Sequence, residues 1–523
     1  MTPDYVVVGA GAAGCVLAAR LTEDPAVTVL LVEDGGRGRD PILTVPRAFY
    51  YALRNDRHVH RYPTRETGDV PAEWWTRGRG LGGSTAVNGL MYVRGQQADH
   101  DALAALVGDP GWGWDAWLEA YRSIENHALG ASASRGAGGP LDVSIPTSGD
   151  PVSAAVLAAT EAHGSAVVAD FNDSDVERIG FTPATIARGR RVSAATAFLR
   201  PALRRPNLTV VTGARAERIL LERGRAVGVE LHRAGRREEV RAAREVIVSA
   251  GALESPLLLE RSGIGRPDVL RAAGITPVVD SEHVGEGLIE HRGISLQVRF
   301  RSRLGLTERL NTRAGRLRES ARYLSTRQGP LATSGYDVVS AIRSPDAERP
   351  DAQGVWVPVA LDETRSDMTL APYSGLLFTG YAVRPTTAGS IHVGGVGSDV
   401  APVIEPRFLE ERHEQAATVA ALRHAREVLE RSGLADVIER EVFPTADVQS
   451  FEEVVAHTRA HGGGIYHAVG SCAMGSVLDS DLRLRGVQGL RVVDASALPV
   501  QVSGNSAAPV MALAQLAVDR ITH

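Results

Sequence analysis

Tyr5-Val6-Val7-Val8-Gly9-Ala10-Gly11-Ala12-Ala13-Gly14 opens a stretch that closes on Val29-Leu30-Leu31-Val32-Glu33, and its reading decides the fold. Val6 to Val8 predicts a short buried strand, Gly11 to Leu21 a helix and Val27 to Val32 a second strand, the unit of a parallel sheet with covering helices. Between strand and helix, Gly9, Gly11 and Gly14 follow the spacing GxGxxG. Gly9 permits the tight turn, Gly11 lets backbone approach a pyrophosphate, and Gly14 lets the helix pack closely, while the helix N-terminus, with Ala12 and Ala13, offers N–H groups and a positive dipole end. Glu33 ends the second strand where an acid can accept hydrogen bonds from ribose hydroxyls. The pattern predicts a dinucleotide and does not separate FAD from NAD.

The chain has 523 residues, 44% of them hydrophobic, which is enough for about two to four domains with a large core. A formal net charge of -5 gives no basic field for a phosphate backbone, so no nucleic acid is expected and a small molecule is the expected partner. No apolar run reaches the roughly 18 residues of a membrane span, and the first strand starts too early for a signal peptide, so a cytoplasmic protein is expected. All 57 basic residues are arginine. Without a lysine amine, neither a P-loop nor a Schiff base to pyridoxal phosphate is possible. Cys15 and Cys472 have no metal or disulfide spacing and read as small packing residues. His58 and His60 lack a third ligand, so no metal is expected.

After about residue 290 the alternation stops. Ser295 to Arg301, Gly354 to Leu361 and Gly375 to Arg384 read as strands without regular intervening helices, and Glu410 to Ser432 as a long amphipathic helix. Residues 302–330 read as connections or surface helices, and Trp112, Trp114 and Trp117 as packing around a helix start. The final seventy residues return to short apolar runs such as Leu490 to Val493. The expected fold class is therefore α/β, or α+β overall. A Rossmann-like dinucleotide-binding domain from discontinuous segments (1–150, 205–290 and 455–523) is expected beside a substrate domain (151–204 and 291–454) with a mainly antiparallel sheet and helices.

A glycine-dense loop runs from Gly78-Arg79-Gly80-Leu81-Gly82-Gly83-Ser84-Thr85 through Asn88-Gly89-Leu90-Met91. Such a loop either lies against a flat or anionic ligand, with Ser84 and Asn88 as polar contacts, or is a structural turn. Continued through Gly95, it resembles the first signature of the glucose-methanol-choline family of FAD-dependent alcohol oxidoreductases. Gly251-Ala252-Leu253-Glu254-Ser255-Pro256 and Ser262-Gly263-Ile264-Gly265 are similar to that family's second signature. Val284 to His291 is a looser version of another family segment, with a structural role expected. His467-Ala468-Val469-Gly470-Ser471 resembles the catalytic-histidine segment, and Asp494-Ala495-Ser496 and Asn505 follow as they do there. The likeness covers the first 100 residues, about 190–291 and 460–523.

The resemblance implies FAD as cofactor, held by Gly9, Gly11, Ala12, Ala13, Gly14, Glu33, Arg79, Gly82, Gly83, Ser84, Asn88, Gly89, Leu90, Met91, Ala216, Ala250, Gly251, Asp494 and Ala495. Some relatives attach the flavin through a histidine at the position of Val87; valine has no nucleophilic atom, so non-covalent FAD is expected. Oxidising an alcohol needs a base within reach of the hydroxyl, and a histidine, with its reference pKa of about 6.5, suits that task. His467 is implied as that base and Asn505 as the amide that positions the alcohol oxygen, with hydride passing to flavin N5. Oxygen or another electron acceptor would reoxidise the flavin. The alternatives are a lyase that keeps FAD without net redox chemistry, an NAD-dependent dehydrogenase, and a non-catalytic flavin module.

Overall fold

The computed structural model describes residues 2–365 and 368–522. Tyr5–Val8 lies at the centre of a five-stranded parallel sheet, with Val29–Glu33 and then Leu208–Thr212 on one side, Glu245–Val248 and then Leu490–Val492 on the other. Val6, Val7, Leu31, Val246 and Val492 are all but inaccessible, because a parallel sheet is covered on both faces and its strands are apolar throughout. Helices Ala12–Leu21 and Ala507–Thr522 pack together, both carrying small buried side chains such as Ala18 and Ala514. The second strand begins at Val29, two residues later than the apolar run suggests. Thr28 is instead held by Asp4, whose carboxylate accepts its backbone N–H at 2.8 Å and its hydroxyl at 2.7 Å.

A second, larger sheet runs in the order Ile438–Phe443, Arg292–Phe300, Gly375–Ala382, Ala352–Val357, Val338–Ile342, Arg178–Phe181 and Ala166–Val167. Its neighbours are antiparallel except for the last pair. The expected strand over 354–361 stops at Val357 because Pro358 has no N–H to give a ladder. Helix Arg412–Arg431 covers one face, where Leu422 and Ala425 meet Leu296, Trp356 and Phe378. Side chains alternate along a strand, so the opposite face carries Gln353, Val355, Thr379 and Tyr381, with Val355 opposite Thr379 and Gln353 opposite Tyr381. That face looks into the cavity described below.

Ala214–Glu222, Arg225–Arg233 and Arg236–Arg241 form a three-stranded antiparallel sheet beside the first. Both of its hairpin turns, Arg223-Gly224 and Ala234-Gly235, have positive φ at both residues, the backbone that two-residue hairpins require. The stretch 302–330 contains the helices Thr307–Asn311 and Arg313–Thr326. Trp112 and Trp117 are fully buried and Trp117 lies 4.6 Å from the His100 ring, so this aromatic run is core. Both cysteines are buried and free.

Candidate active site

One long cavity begins at the first glycine turn and ends beside His467 and Asn505. Its near end is built from backbone. Gly9 has φ +100°, and a Cβ there would lie 2.4 Å from the Ser249 carbonyl oxygen, so only glycine fits. A Cβ on Gly11 would meet nothing of the protein closer than 3.9 Å, which leaves its backbone open to a ligand. No side chain caps the helix that starts at Ala12, so its first N–H groups are available to an anion. Gly83 touches the first turn directly, since a Cβ on it would lie 2.7 Å from the Gly11 Cα.

Glu33 ties these two glycine segments together. Its carboxylate accepts the N–H of Ala10 at 2.9 Å, of Gly35 at 2.8 Å and of Gly80 at 2.9 Å. Beside it, Asp34 accepts from His60 at 2.8 Å and from Arg79 at 3.0 Å. Burial raises the Asp34 carboxyl, but the His60 hydrogen bond and the Arg79 charge outweigh it and hold the group at about 2. Further along, Asn88 accepts from Arg191 at 2.8 Å through its side-chain oxygen. Arg191 is fully enclosed, makes no ion pair among the described residues, and burial lowers its guanidinium to about 9.

Asp494 stands on the cavity wall with its carboxylate saturated by the protein: Gly251 N–H at 2.9 Å and Ser255 hydroxyl at 2.5 Å on one oxygen, Ser496 N–H at 2.8 Å and hydroxyl at 2.6 Å on the other. It thereby fixes the start of helix Gly251–Arg261. Two residues expected at the cofactor do not line the cavity. Gly14 is needed for packing, since a Cβ on it would lie 1.9 Å from the Gly9 carbonyl oxygen. Gly82, at φ +97°, donates its N–H to Ala10 at 2.8 Å, and a Cβ on it would face Ser193. The other seventeen expected cofactor residues, from Gly9 to Ala495, lie on the wall, as do His467 and Asn505.

At the far end Asn505 Nδ2 lies 3.0 Å from His467 Nε2. His467 Nδ1 lies 3.0 Å from His291 Nδ1, and His291 Nε2 lies 3.1 Å from the Val383 carbonyl. One buried carboxylate, Glu290, fixes the backbone of both histidines, accepting the N–H of His291 at 2.9 Å, of His467 at 2.6 Å and of Ala468 at 3.0 Å, and Arg77 at 3.2 Å. Tyr466, next to His467, sits at φ +68°, a left-handed backbone that costs a bulky residue about 1–3 kcal/mol. Burial, then the neighbouring His291 and the Arg77 charge, push the His467 ring well below the usual imidazole range, so it is neutral at neutral pH. Burial likewise lowers His291 to about 4.

Val284 to His291 was expected to be structural, and the structure instead brings its His291 against His467. Gln353 and Tyr381 were not anticipated either, because they come from the middle of the chain where only strand periodicity could be read. Gln353 Nε2 donates to Asn505 Oδ1 at 3.1 Å and to the Tyr381 oxygen at 2.5 Å. His58 and His60 pair with Asp40 and Asp34, and among the described residues no group of three or more histidine, cysteine or acidic side chains could hold a metal. No helix among the described residues is long and apolar enough to cross a membrane.

The family models for GMC oxidoreductase match residues 3–292 and 385–514. Human mitochondrial choline dehydrogenase is 36% identical over 99% of this chain and 89% of its own length. Pyridoxine 4-oxidase of Microbacterium luteolum is 35% identical over 98% of both chains. The crystal structure of pyridoxine 4-oxidase from Mesorbium loti superposes with a TM-score of 0.88, at 30% identity and 99% coverage of each chain. With both halves of the family pattern present and relatives alike along the whole length, the chain belongs to the GMC oxidoreductase family.

Proposed function

We propose that the chain oxidises a small-molecule alcohol to a carbonyl, with His467 as general base and Asn505 holding the substrate oxygen. The coarse activity follows from the family: this is an FAD-dependent oxidoreductase acting on alcohol-type substrates. The observation that carries the finer reading is the pair itself. A basic ring nitrogen and a side-chain amide, 3.0 Å apart, share one wall at the end of a cavity whose other end is the glycine turn with Glu33.

The residues fit FAD. The open backbone at Gly11 and the uncapped helix would take the pyrophosphate, and Glu33, with lone pairs to spare, the ribose. Bound there, the flavin supplies the hydride acceptor. The protein's own part is proton chemistry and orientation. The His467 ring, neutral at neutral pH, takes the hydroxyl proton, and the amide of Asn505 donates to the oxygen as its charge develops. The walls contributed by Phe49, Val355, Tyr336 and Tyr381 displace water from the reacting carbon. Val87 supports non-covalent attachment: it is buried on the cavity wall and offers nothing to bond.

The division into a nucleotide domain (1–150, 205–290 and 455–523) and a substrate domain (151–204 and 291–454) belongs to the same proposal. Every strand of the parallel sheet comes from the first set and the main strands of the larger sheet from the second. The relatives bear the names dehydrogenase and oxidase, so oxygen and another electron acceptor are both open to this chain. The test is anaerobic mixing of the holoenzyme with a panel of alcohols that includes choline, pyridoxine, benzyl alcohol and aliphatic alcohols. Bleaching of the flavin's visible band by at least one, lost by about 10²–10⁴-fold in His467→Ala, is expected. No bleaching by any would favour an FAD-retaining lyase.

A further inference from the structure

We propose that His291 is a positioning residue that holds His467 in the tautomer protonated on Nδ1, and that the Val383 carbonyl sets the direction of this hydrogen-bond chain. The inference rests on the reading of His467 as the base.

A carbonyl oxygen can only accept. His291 Nε2, at 3.1 Å from the Val383 oxygen, therefore carries the hydrogen. A neutral imidazole has one N–H, so His291 Nδ1 keeps its lone pair and points it at His467 Nδ1, 3.0 Å away. Two lone pairs would repel at that distance, so His467 carries its hydrogen on Nδ1. His467 Nε2 is then left bare on the cavity side, where Asn505 Nδ2 donates to it at 3.0 Å. The far end agrees: Gln353 Nε2 donates to Asn505 Oδ1 at 3.1 Å, which fixes the amide with its nitrogen toward His467.

The opposite arrangement is consistent at every link but one. His467 Nε2–H could donate to Asn505 Oδ1, Asn505 could donate to Gln353, and His291 Nδ1–H to His467 Nδ1. That set leaves a lone pair of the fully buried His291 Nε2 against the Val383 oxygen at 3.1 Å, too close for anything to lie between them. A protonated His291 is disfavoured by the same burial, and the adjacent carboxylate of Glu290 is engaged by backbone N–H groups and Arg77. The Tyr381 ring, 4.8 Å from His291, closes its remaining side. A carboxylate in the place of His291 would orient the ring equally well but raise its proton affinity; a neutral imidazole orients it and leaves it low. When His467 Nε2 takes the hydroxyl proton, the Asn505 amide turns its N–H from that nitrogen to the substrate oxygen, while the Nδ1 hydrogen stays on His467, held by His291.

The experiment is 15N NMR of the FAD holoenzyme labelled at histidine, with His467→Ala to assign the resonances. The expected result is Nδ1 protonated and Nε2 unprotonated in the parent. In His291→Phe, which keeps the bulk and removes the acceptor, His467 moves its hydrogen to Nε2, and flavin reduction by the fastest alcohol of the panel slows at least tenfold. His291→Asn, whose Oδ1 replaces the lost acceptor, returns the Nδ1–H tautomer and most of the rate. Nε2 protonated in the parent overturns the proposal, as does an unchanged tautomer in His291→Phe, whatever its rate. Should His291→Phe not fold, the parent spectrum alone decides. If no alcohol reduces the flavin, the base role of His467 falls, while the tautomer is still read directly.

Discussion

Replacing Glu290 by glutamine tests whether one buried carboxylate organises the site. Its two oxygens share four donors: the N–H groups of His291 and His467 on Oε1, and the Ala468 N–H with Arg77 on Oε2. Glutamine keeps a single acceptor and turns an NH₂ toward the other two donors. The bonds to the remaining oxygen lose their charge assistance, about 1 kcal/mol together, and one buried N–H is orphaned at about 1–3 kcal/mol. Arg77, 17% exposed, can turn to water and adds little. Against this, glutamine relieves the burial that raises the Glu290 carboxyl above its ordinary range. The net loss is about 2–3 kcal/mol, measured by chemical denaturation of the holoenzyme in excess FAD. The same change frees the backbone that aims His467, so the anaerobic rate of flavin reduction should fall about 10- to 100-fold, or about 1.4–2.8 kcal/mol in the barrier. A variant within about 0.5 kcal/mol of the parent that reduces its flavin at the parental rate would refute the reasoning.

Flavin reduction should hold its full rate down through pH 6.5, the ordinary imidazole value, and be lost only well below it. His467 is depressed by burial, by His291 and by Arg77, with Glu290 and the Tyr381 ring as its other neighbours; a stopped-flow pH profile checks this. Gly83→Ala should purify without bound flavin, because its Cβ would lie 2.7 Å from the Gly11 Cα in a backbone of φ +50°; absorbance of the purified protein decides. His424 is held neutral by burial, down to about 4. The unfolded chain takes up that proton first, so stability present above pH 6.5 is lost as pH falls toward 4, by about 3 kcal/mol for this group. Denaturation at pH 7 and pH 4 should show that share of the acid loss removed in His424→Leu.

Much of the fold is legible in the residues themselves. The valine run, the glycine spacing and Glu33 lie within one local unit, and the physics that shapes them acts over a few residues. The same holds for the strand end at Pro358 and the helix Arg412–Arg431. Contacts between distant segments could not be read. Gln353 reaches Asn505 across 152 residues and His291 reaches His467 across 176, and no periodicity encodes either meeting. Asp494 illustrates a subtler limit. The sequence offers it as a cofactor-binding residue; it lies on the cavity wall, and protein donors occupy both of its oxygens, which no local pattern encodes. The hairpins at Arg223-Gly224 and Ala234-Gly235 carried a usable signal, a glycine in each two-residue turn between alternating segments.

The strand Leu490–Val492, at one edge of the parallel sheet, has a consequence for biosynthesis. The glycine turn is made long before Leu490–Val492 completes its sheet, and His467, Asp494 and Asn505 arrive in the same late portion. Cofactor capture therefore cannot be an early, local event that templates the fold. Until Leu490–Val492 is made, the apolar strand Glu245–Val248 waits with an uncovered neighbour position, a state that invites chaperones and non-native pairing. Flavin supply in the cell should accordingly govern how much finished enzyme accumulates, and have little influence on how the nascent chain begins to fold.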